Sequence, residues 1–554
     1  MTLAARAAAA LALAAACAWA AGCSRDVEGK GGEEASSGSE APAYGDTFVQ
    51  ASIGDIAGLI PNLASDASSH EVGSLIYDGL VKYDKDLNVV GAMAASWTFT
   101  PDCRELTFSL RRDVKWHDGT PFTAADVVFT YQTMVNPKTP APFKEGYLLV
   151  KDVEAPDPYT VRVTYREPYA RALDTWSSAM LPKHLLEPYV ASGKLRESPQ
   201  NRHPIGTGPY RFQEWRTGEK VVLLANPNYY EGRPYIGRVV YRVIPSQATI
   251  FLELKARGVD FVRTLTAFQY ARQTDYPAFR KAFHKFRYPS SYYTFLGFNL
   301  KDPRFADRRV RRALAHAIDK RELIDAVVLG LAREANGPIR PGTWAFTDRV
   351  EHYDFDPAKA KALLAEAGWK DRDGDGIVED VTGKPFAFTI LTNQGNDERK
   401  KLAEIIQQRL LEVGVKVEIQ VIEWAAFIKE YVKPRRFDAV ILGLGTGVDP
   451  DQYVVWHSSQ TGPDQMNRTG YANPEVDRLL EVGRTSCHQA ERVKYYHRIQ
   501  ELLAEDVPMI FLYYKDDLPA VAARVHGIAV APSGIMYNFT EWYVPRALQR
   551  YTSG

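Results

Sequence analysis

Residues 111–127 read RRDVKWHDGTPFTAADV, and this stretch decides the fold that we expect for the whole chain. Residues 106–110 before it alternate apolar and polar side chains, a pattern typical of a half-buried strand. Asp118-Gly119 predicts a turn, because Gly tolerates positive φ and Asp hydrogen-bonds its own backbone. Thr123 is a suitable N-cap for a helix that begins at the next residue. The residues alone therefore predict a strand, a turn and a helix in close succession.

His117 and Asp118 also form a candidate acid–base pair, but a structural turn is the better interpretation. A His beside an Asp in a turn is common by chance, and catalysis would need a nucleophile or a metal aimed at the pair. The sequence offers neither at this point. We therefore predict no catalytic residue here.

The length and charge of the chain limit the classes of protein that it can belong to. Its 554 residues exceed the about 250–300 that one hydrophobic core usually serves, so we expect two or more lobes. The 68 basic and 68 acidic residues balance, which leaves no electrostatic argument for nucleic acid or an anionic membrane surface as a partner. A helical pattern over residues 396–413 is followed at once by a strand pattern over 415–421, which predicts α/β architecture.

The first 44 residues predict a lipid anchor and a tether. Residues 1–23 contain Arg6 and then an Ala/Leu-rich run, which is short and weakly apolar for a membrane span of about 20 residues. Small residues precede Cys23 and resemble a lipobox, in which the Cys carries a diacylglycerol once the signal peptide is removed. Residues 24–44 are rich in Gly, Ser, Glu and Ala and predict a flexible tether. An ordinary signal peptide with an incidental Cys is the alternative, which the tether disfavours.

Residues 371–376 read DRDGDG, which resembles the start of an EF-hand calcium loop. That loop needs a bidentate Glu at its twelfth position. Thr382 occupies the twelfth position here, and Glu379 occupies the ninth. We therefore predict a structural turn without a metal.

Residues 443–451 read GLGTGVDPD and follow a strand that we predict over residues 437–442. A Gly-rich backbone after a strand lets a ligand approach closely. A dinucleotide-binding fingerprint is the rival interpretation, but no helix follows this loop as that fold requires. We expect ligand contacts within residues 422–460.

Four short sequence motifs, which we call markers, occur in order along the chain: YDGLVKYD at 77–84, the stretch at 111–127, GTGPY at 206–210 and VRRALAHAID at 310–319. Together they resemble the dipeptide- and oligopeptide-binding proteins of ABC importers, the family 5 extracellular solute-binding proteins. The resemblance runs from about residue 45 to 545. The order of the markers carries it, since each marker alone is weak.

The resemblance implies an α/β fold of the periplasmic-binding-protein type II class, a two-lobed "Venus flytrap" with an additional inserted lobe. The implied limits are 45–90, 205–290 and 521–550 for lobe I, 91–204 for the inserted lobe II, and 291–520 for lobe III. Cys103 and Cys487 then belong to different lobes. Although two Cys in an oxidising compartment can pair, two buried thiols are our expectation.

The resemblance also implies a function. The chain would be an extracytoplasmic solute-binding component of an ABC importer that captures a peptide, or a related oligomeric solute, between closing lobes. It would deliver this ligand to permease subunits in the inner membrane. We expect a periplasmic monomer, lipid-anchored through Cys23, without a cofactor and without enzymatic activity. A cell-envelope hydrolase such as a glycosidase, which would use paired carboxylates across a cleft, is the alternative.

The peptide-binding relatives imply a set of ligand contacts. A Trp at the position of Trp424 packs on the ligand there, whereas a core aromatic is the ordinary alternative. The next loop of the relatives carries a second Trp, at Leu444 here, and an Asp that pairs with the peptide's amino terminus, at Thr446 or Gly447 here. The ligand-binding residues that we predict are Ser68, Ser69, Trp424, Leu444, Gly445, Thr446, Gly447 and Asp449.

Neither Thr446 nor Gly447 carries a charge, although a buried ammonium group needs a paired anion. We therefore hypothesise that a free amino terminus is not the main recognition element. The ligand would be a longer or amino-blocked peptide, or a non-peptide such as an oligosaccharide. Asp449 is the remaining candidate partner for an ammonium group, but the following Pro biases it to an extended conformation that can direct its side chain elsewhere.

Overall fold

The computed structural model of the protein describes residues 41–64, 66–462, 465–486 and 488–551. In this part of the chain the strands are β1 (Gly45–Ser52), β2 (Val81–Tyr83), β3 (Val89–Gly91), β4 (Ala94–Phe99), β5 (Glu105–Leu110), β6 (Val150–Asp157), β7 (Thr160–Tyr165), β8 (Tyr210–Arg216), β9 (Lys220–Ala225), β10 (Ile236–Val243), β11 (Phe261–Val262), β12 (Phe283–Lys285), β13 (Tyr288–Phe298), β14 (Ala332–Glu334), β15 (Ala387–Asn393), β16 (Lys416–Ile422), β17 (Ala439–Gly445), β18 (Met509–Asp517) and β19 (Ala520–Ala522).

The α-helices of the same residues range from single turns to the long α15. They are α1 (Ala67–Ile76), α2 (Ala124–Val135), α3 (Glu145–Leu148), α4 (Ala172–Thr175), α5 (Lys183–Ala191), α6 (Gln247–Lys255), α7 (Pro277–Ala282), α8 (Arg308–His316), α9 (Lys320–Val328), α10 (Pro357–Glu366), α11 (Asp397–Leu411), α12 (Trp424–Ala426), α13 (Tyr453–Trp456), α14 (Pro474–Thr485) and α15 (Gln489–Asp506). None of these described helices has the length and apolar composition that crossing a membrane requires.

A seven-stranded sheet is built from distant parts of the chain, in the order β12-β19-β11-β1-β10-β9-β8. β1 runs parallel to both β10 and β11, so these three strands end at the same edge of the sheet. Five consecutive residues of β1 are buried, as expected for a strand covered on both faces. We call the edge at which β1, β10 and β11 end the first carboxyl edge.

A six-stranded sheet has the order β14-β18-β13-β17-β15-β16. β15, β16 and β17 are parallel, and they too end at one edge, which we call the second carboxyl edge. The start of β13 and the end of β18 lie at this edge because both strands are antiparallel to their neighbours, β13 to β17 and β18 to β13.

Two segments cross between these sheets, at residues 286–287 and 518–519. The first joins β12 to β13 and the second joins β18 to β19, with the Phe286 amide donating to the Pro519 carbonyl at 3.0 Å. In the seven-stranded sheet both segments attach beside the end of β11. In the six-stranded sheet they attach beside the end of β17. The crossing pair therefore joins the two carboxyl edges, and ligands of open α/β sheets characteristically bind outside such edges.

A separate four-stranded sheet has the order β4-β5-β7-β6, and the stretch at 111–127 begins where β5 ends. β5 and α2 confirm the predicted strand and helix, and the Thr123 amide donates to the Asp126 carboxylate at 3.0 Å in a capping box. β6 and β7 pair as an antiparallel hairpin in the same sheet. Trp116 and Trp176 fill the core beside this sheet.

One local prediction is wrong for a tertiary reason, and three of the predicted ligand residues lie in helices. Ser68 and Ser69 lie in helix α1, which Asp66 caps by accepting from the Ser69 amide at 2.8 Å. The expected loop at 443–445 is instead the end of β17, since its residues pair with β13 and the ladder overrides the weak strand propensity of Gly. β16 stops at Ile422, and Trp424 begins α12.

Cys103 is disulfide-bonded, so the expectation of two free thiols is wrong for this residue. Cys103 has a positive φ of 55° at the turn that precedes β5. Cys487 and Cys23 lie outside the described residues.

Candidate ligand-binding site

The predicted ligand residues are distributed over the two carboxyl edges. Leu444 and Gly445 end β17 at the second edge, and Trp424 follows the end of β16 at the same edge. Ser68 lies beside the end of β1 at the first edge, where its hydroxyl is 3.0 Å from that of Ser52. The tertiary structure thus brings residues from both ends of the chain to the two edges that the crossing pair joins.

Trp424 is not a core residue. Its side chain is 50% exposed, and its ring lies 6.3 Å from that of Phe427, which is buried. The indole therefore lies partly beside the buried Phe427 and partly in solvent. Such an amphipathic ring at an open edge suits stacking on a ligand.

The residues after β17 are held against β13. The Thr446 amide and hydroxyl both donate to the Ser291 carbonyl, at 2.8 and 2.9 Å. At Gly445 an added Cβ would lie 3.1 Å from the ring of Tyr292, which is 54% exposed. Tyr292 is thus an exposed aromatic at the second edge that sequence reasoning missed, because only the pairing of β13 with β17 places it beside Gly445.

Asp449 already has a partner. Arg492 donates to both of its oxygens, at 2.7 and 2.6 Å, and to the Tyr496 hydroxyl at 3.0 Å. Both members of this ion pair are largely buried. A bidentate pair of this kind is strong and leaves Asp449 little capacity for a ligand ammonium group. Asp449 is therefore not available for the pairing with a ligand ammonium group that its position in the sequence suggests.

Ser69 has a structural role. Its side chain is buried and its hydroxyl accepts from the Ala57 amide at 2.9 Å, which ties α1 to the loop after β1. Ser68 is partly exposed and is the better placed of the two for contact with a ligand.

His117 joins two of the sequence markers. Its Nδ1 accepts from the Gly206 amide at 3.2 Å, and its Nε2 lies 3.0 Å from the Gly208 carbonyl. Burial lowers the pKa of His117 to about 4, so the ring is neutral near pH 7. Asp118 pairs instead with His184 at 2.7 Å. The pair is thus part of a structural junction, in agreement with the turn interpretation.

The acidic side chains in and near the loop at 371–376 lie closer together than we expected. Oxygens of Asp371, Asp373, Asp375 and Glu379 all lie within 4.8 Å of one another. Glu379 reaches the cluster from the ninth position, so the argument from the twelfth position does not decide against a cation. Backbone amides of residues 374 and 376 also donate to Asp371 and stabilise the turn.

A cavity of about 160 Å³ lies between two distant parts of the chain, and sequence reasoning missed it. One wall comes from residues 143–178, on and after α3, and the other from residues 451–484, on α13 and α14. Across the cavity the Ala170 amide donates to the Arg484 carbonyl at 2.8 Å. Its aromatic and charged lining residues are Phe143, Glu145, Tyr147, Tyr169, Arg171, Asp174, Asp451, Tyr453 and Arg484.

Two α/β lobes joined by a pair of crossing segments, with a cleft between carboxyl edges, define the periplasmic-binding-protein type II class. The comparisons with known proteins agree. The family model for bacterial extracellular solute-binding proteins, family 5, matches residues 88–465. The oligopeptide-binding protein AppA of Bacillus subtilis is 34% identical over 516 residues, which cover 91% of this chain and 93% of the relative.

Solved structures show the same similarity. AppA of Bacillus subtilis in complex with a nonapeptide has a TM-score of 0.82 at 32% identity, covering 91% of this chain and all of that chain (100%). NikZ of Campylobacter jejuni in complex with Ni(L-His) has a TM-score of 0.82 at 31% identity, with 90% and 99% covered. Heme-binding protein A of Haemophilus influenzae is 29% identical over 512 residues, with 88% and 90% covered.

The chain belongs to the bacterial extracellular solute-binding proteins, family 5. It is the extracytoplasmic solute-binding component of an ABC importer. The relatives are solute-binding proteins, which does not support the hydrolase alternative.

Proposed function

We propose that this protein captures peptides of several residues in the cleft between the two carboxyl edges, without chemical change, and delivers them to an ABC permease. The observation that carries the proposal is the placement of exposed aromatic rings, Trp424 and Tyr292, at the edge where the crossing pair enters. Flat rings of this kind bind side chains of many shapes. AppA, which is 34% identical, is named as an oligopeptide-binding protein and is solved with a nonapeptide.

The proposed lobes follow the limits expected from the sequence: 45–90, 205–290 and 521–550 for lobe I, 91–204 for lobe II and 291–520 for lobe III. The composition of the sheets supports these limits. The seven-stranded sheet uses strands of the first set almost throughout, the four-stranded sheet lies within 91–204, and the six-stranded sheet lies between residues 288 and 517.

The proposed contacts at the second edge are Trp424, Leu444, Gly445, Thr446 and Gly447, with Ser68 opposite. Asp449 and Ser69 support them from behind, through Arg492 and Ala57. Because Asp449 is occupied, we propose that a peptide's free amino terminus is not the main recognition element.

Calorimetry of the mature full chain with a matched pair of nonapeptides, one with a free and one with an acetylated amino terminus, tests this proposal. We expect both to bind with affinities within about threefold, because acetylation removes only a charge, and Asp449, the carboxylate expected to pair with that charge, is already bound by Arg492. Chromatography of the recovered peptides should show them intact. Failure of all nonapeptides to bind would overturn peptide capture, and cleaved products would return the hydrolase alternative.

We propose that the protein is a monomer anchored to the membrane by a diacylglycerol on Cys23. A separate experiment tests the anchor. Cys23→Ala should leave the membrane fraction or remain unprocessed, because acyl chains each supply about 0.8 kcal/mol per buried CH₂. Ser24→Ala, which keeps the Cys, is the control. A wild-type protein that incorporates no labelled palmitate would contradict lipidation.

A further inference from the structure

Arg171 and Arg484 line the cavity between residues 143–178 and 451–484, and Arg492 binds Asp449, two residues before the cavity-lining Asp451. Arg492 makes four side-chain hydrogen bonds, two of them to Asp449. Arg171 donates twice to Asp174, whose other oxygen accepts from the Tyr83 hydroxyl at 2.6 Å. These two cations therefore have structural partners and little capacity for a ligand.

Arg484 differs from both. Its side chain is only 12% exposed, yet it makes no side-chain hydrogen bond to the residues that the structure describes. Among the described residues its ion-pair partner is Asp451, whose carboxylate lies at 3.2 Å without hydrogen-bond geometry, and the Nε of Arg484 is buried without an acceptor. A guanidinium offers five donors in a planar fork, and leaving them unmet in a buried site is costly. Arg484 therefore has one ion-pair partner but no hydrogen-bonded acceptor among the described residues.

The surroundings of Arg484 fix its orientation. Its guanidinium lies over the ring of Tyr453 at 4.3 Å and near the ring of Tyr169 at 5.6 Å. Rings on its faces leave the edge of the fork as the direction of approach, and that edge is where a carboxylate binds with two parallel hydrogen bonds. Asp451 is almost wholly buried (1% of its side chain is exposed), so a ligand in the cavity meets Arg484 first.

The site is composite. Tyr169 belongs to the wall from residues 143–178, whereas Tyr453 and Arg484 belong to the wall from residues 451–484. The 2.8 Å hydrogen bond from the Ala170 amide to the Arg484 carbonyl holds the two walls together. A ligand group bound here contacts both walls, so its binding energy favours their association.

We propose that Arg484, held between Tyr169 and Tyr453, is a carboxylate-binding subsite for the captured peptide. This inference rests on the proposed peptide-binding function and adds the ligand chemistry that the cavity selects. The carboxylate can come from the peptide's carboxyl terminus or from an acidic side chain, since both present the same planar pair of oxygens. Glu145 also lines the cavity, and its charge opposes the bound anion.

The test uses calorimetry of the full chain with four nonapeptides of one parent sequence. They combine a free or amidated carboxyl terminus with a single internal Glu or Gln. We expect the wild type to lose at least tenfold in affinity when the carboxylate that binds Arg484 is removed. A loss on amidation identifies the carboxyl terminus as that group, and a loss on replacing Glu by Gln identifies the acidic side chain. Arg484→Gln should reduce this discrimination to less than twofold. Glu145→Gln should increase affinity for the acid peptides several-fold.

Arg478→Gln is the matched control, because Arg478 lies exposed on the same helix α14. It should keep the wild-type discrimination. If Arg484→Gln does not fold, Arg484→Lys carries the test, since it keeps the charge but loses the fork and should lower the discrimination at least threefold.

Three results would overturn the inference. One is equal binding of all four peptides by the wild type, and another is full discrimination retained by both Arg484 variants. Both leave peptide capture intact, because peptides still bind. The third is the absence of binding by any of the four nonapeptides, which removes the proposed function together with the subsite.

Discussion

At the scale of single residues, two tryptophans of the proposed lobe III have opposite environments. Trp424 is half exposed beside the cleft, whereas Trp456 is fully buried and donates to Gln452 at 2.7 Å. We expect Trp424→Ala to weaken peptide binding by about 2 kcal/mol, or about thirtyfold, as for an aromatic hot spot. Its free energy of unfolding should fall by no more than about 1 kcal/mol, because the ring already contacts water. Calorimetry and urea denaturation measure the two quantities.

Trp456→Ala serves as the contrasting variant for this prediction. It should lose about 3–5 kcal/mol of unfolding free energy, since it leaves a cavity in the core. If Trp424→Ala instead loses as much stability and keeps its affinity, Trp424 is a packing residue and not a ligand contact.

Asp78 provides a pH-dependent prediction. Burial raises the pKa of Asp78 from 3.8 to about 7, and the nearby Glu231 carboxylate adds to the shift. The folded protein therefore holds this proton more tightly than the unfolded chain does. The resulting stabilisation is present below about pH 4 and is lost as the pH rises through about 7. Asp78→Asn removes this term, so its stability relative to wild type should increase from pH 5 to pH 8.

Urea denaturation of both proteins at several pH values measures that change. Asp86→Asn, at an exposed position close in sequence, is the control and should follow the wild-type profile. Parallel pH profiles for Asp78→Asn and the wild type would contradict a raised pKa at Asp78.

At the scale of elements, Gly206 illustrates how two sequence markers meet. The Gly206 carbonyl accepts from the His117 amide at 2.8 Å, and a Cβ on Gly206 would lie 1.9 Å from the Ile76 carbonyl oxygen at the end of α1. Gly206→Ala should therefore reduce the unfolding free energy by about 3 kcal/mol or more, because backbone must move to relieve the contact. Thermal and urea denaturation report this loss.

Gly447→Ala is the matched substitution for stability. A Cβ there would meet the Asp449 backbone at 3.5 Å or more, which is ordinary contact, so the change should stay within about 0.5 kcal/mol. Equal stability of the two Ala variants would contradict the prediction, because it would show that the backbone around Gly206 moves at little cost in free energy.

At the scale of the whole molecule, the crossing pair at 286–287 and 518–519 is the covalent link around which the cleft opens and closes. The Ala267 amide donates to Glu398 at 3.3 Å, and the Ala170 amide donates to the Arg484 carbonyl, both across the proposed lobe boundaries. Since these contacts form only when the lobes approach, we expect a bound nonapeptide to reduce the radius of gyration in small-angle scattering. A Trp424→Ala protein at the same peptide concentration should contract less. An unchanged radius at saturating peptide would contradict closure.

Local patterns determined much of the fold in advance. The strand of alternating residues before 111 and the cap at Thr123 are formed as predicted, because period and capping depend on neighbours in sequence. The order of the markers indicated the family, and the family model and the similarity to AppA confirm it.

The tertiary structure determined which partners the charged side chains have and which residues of the expected loop are strand. Asp449 met Arg492 and Arg484 came to line a cavity with Tyr169, although each pair is far apart in sequence. The end of β17 became strand through pairing with β13. Such outcomes depend on which distant groups share one low-dielectric, close-packed site. No pattern of neighbouring residues contains that information, because a contact between distant residues is set by the packing of the whole chain.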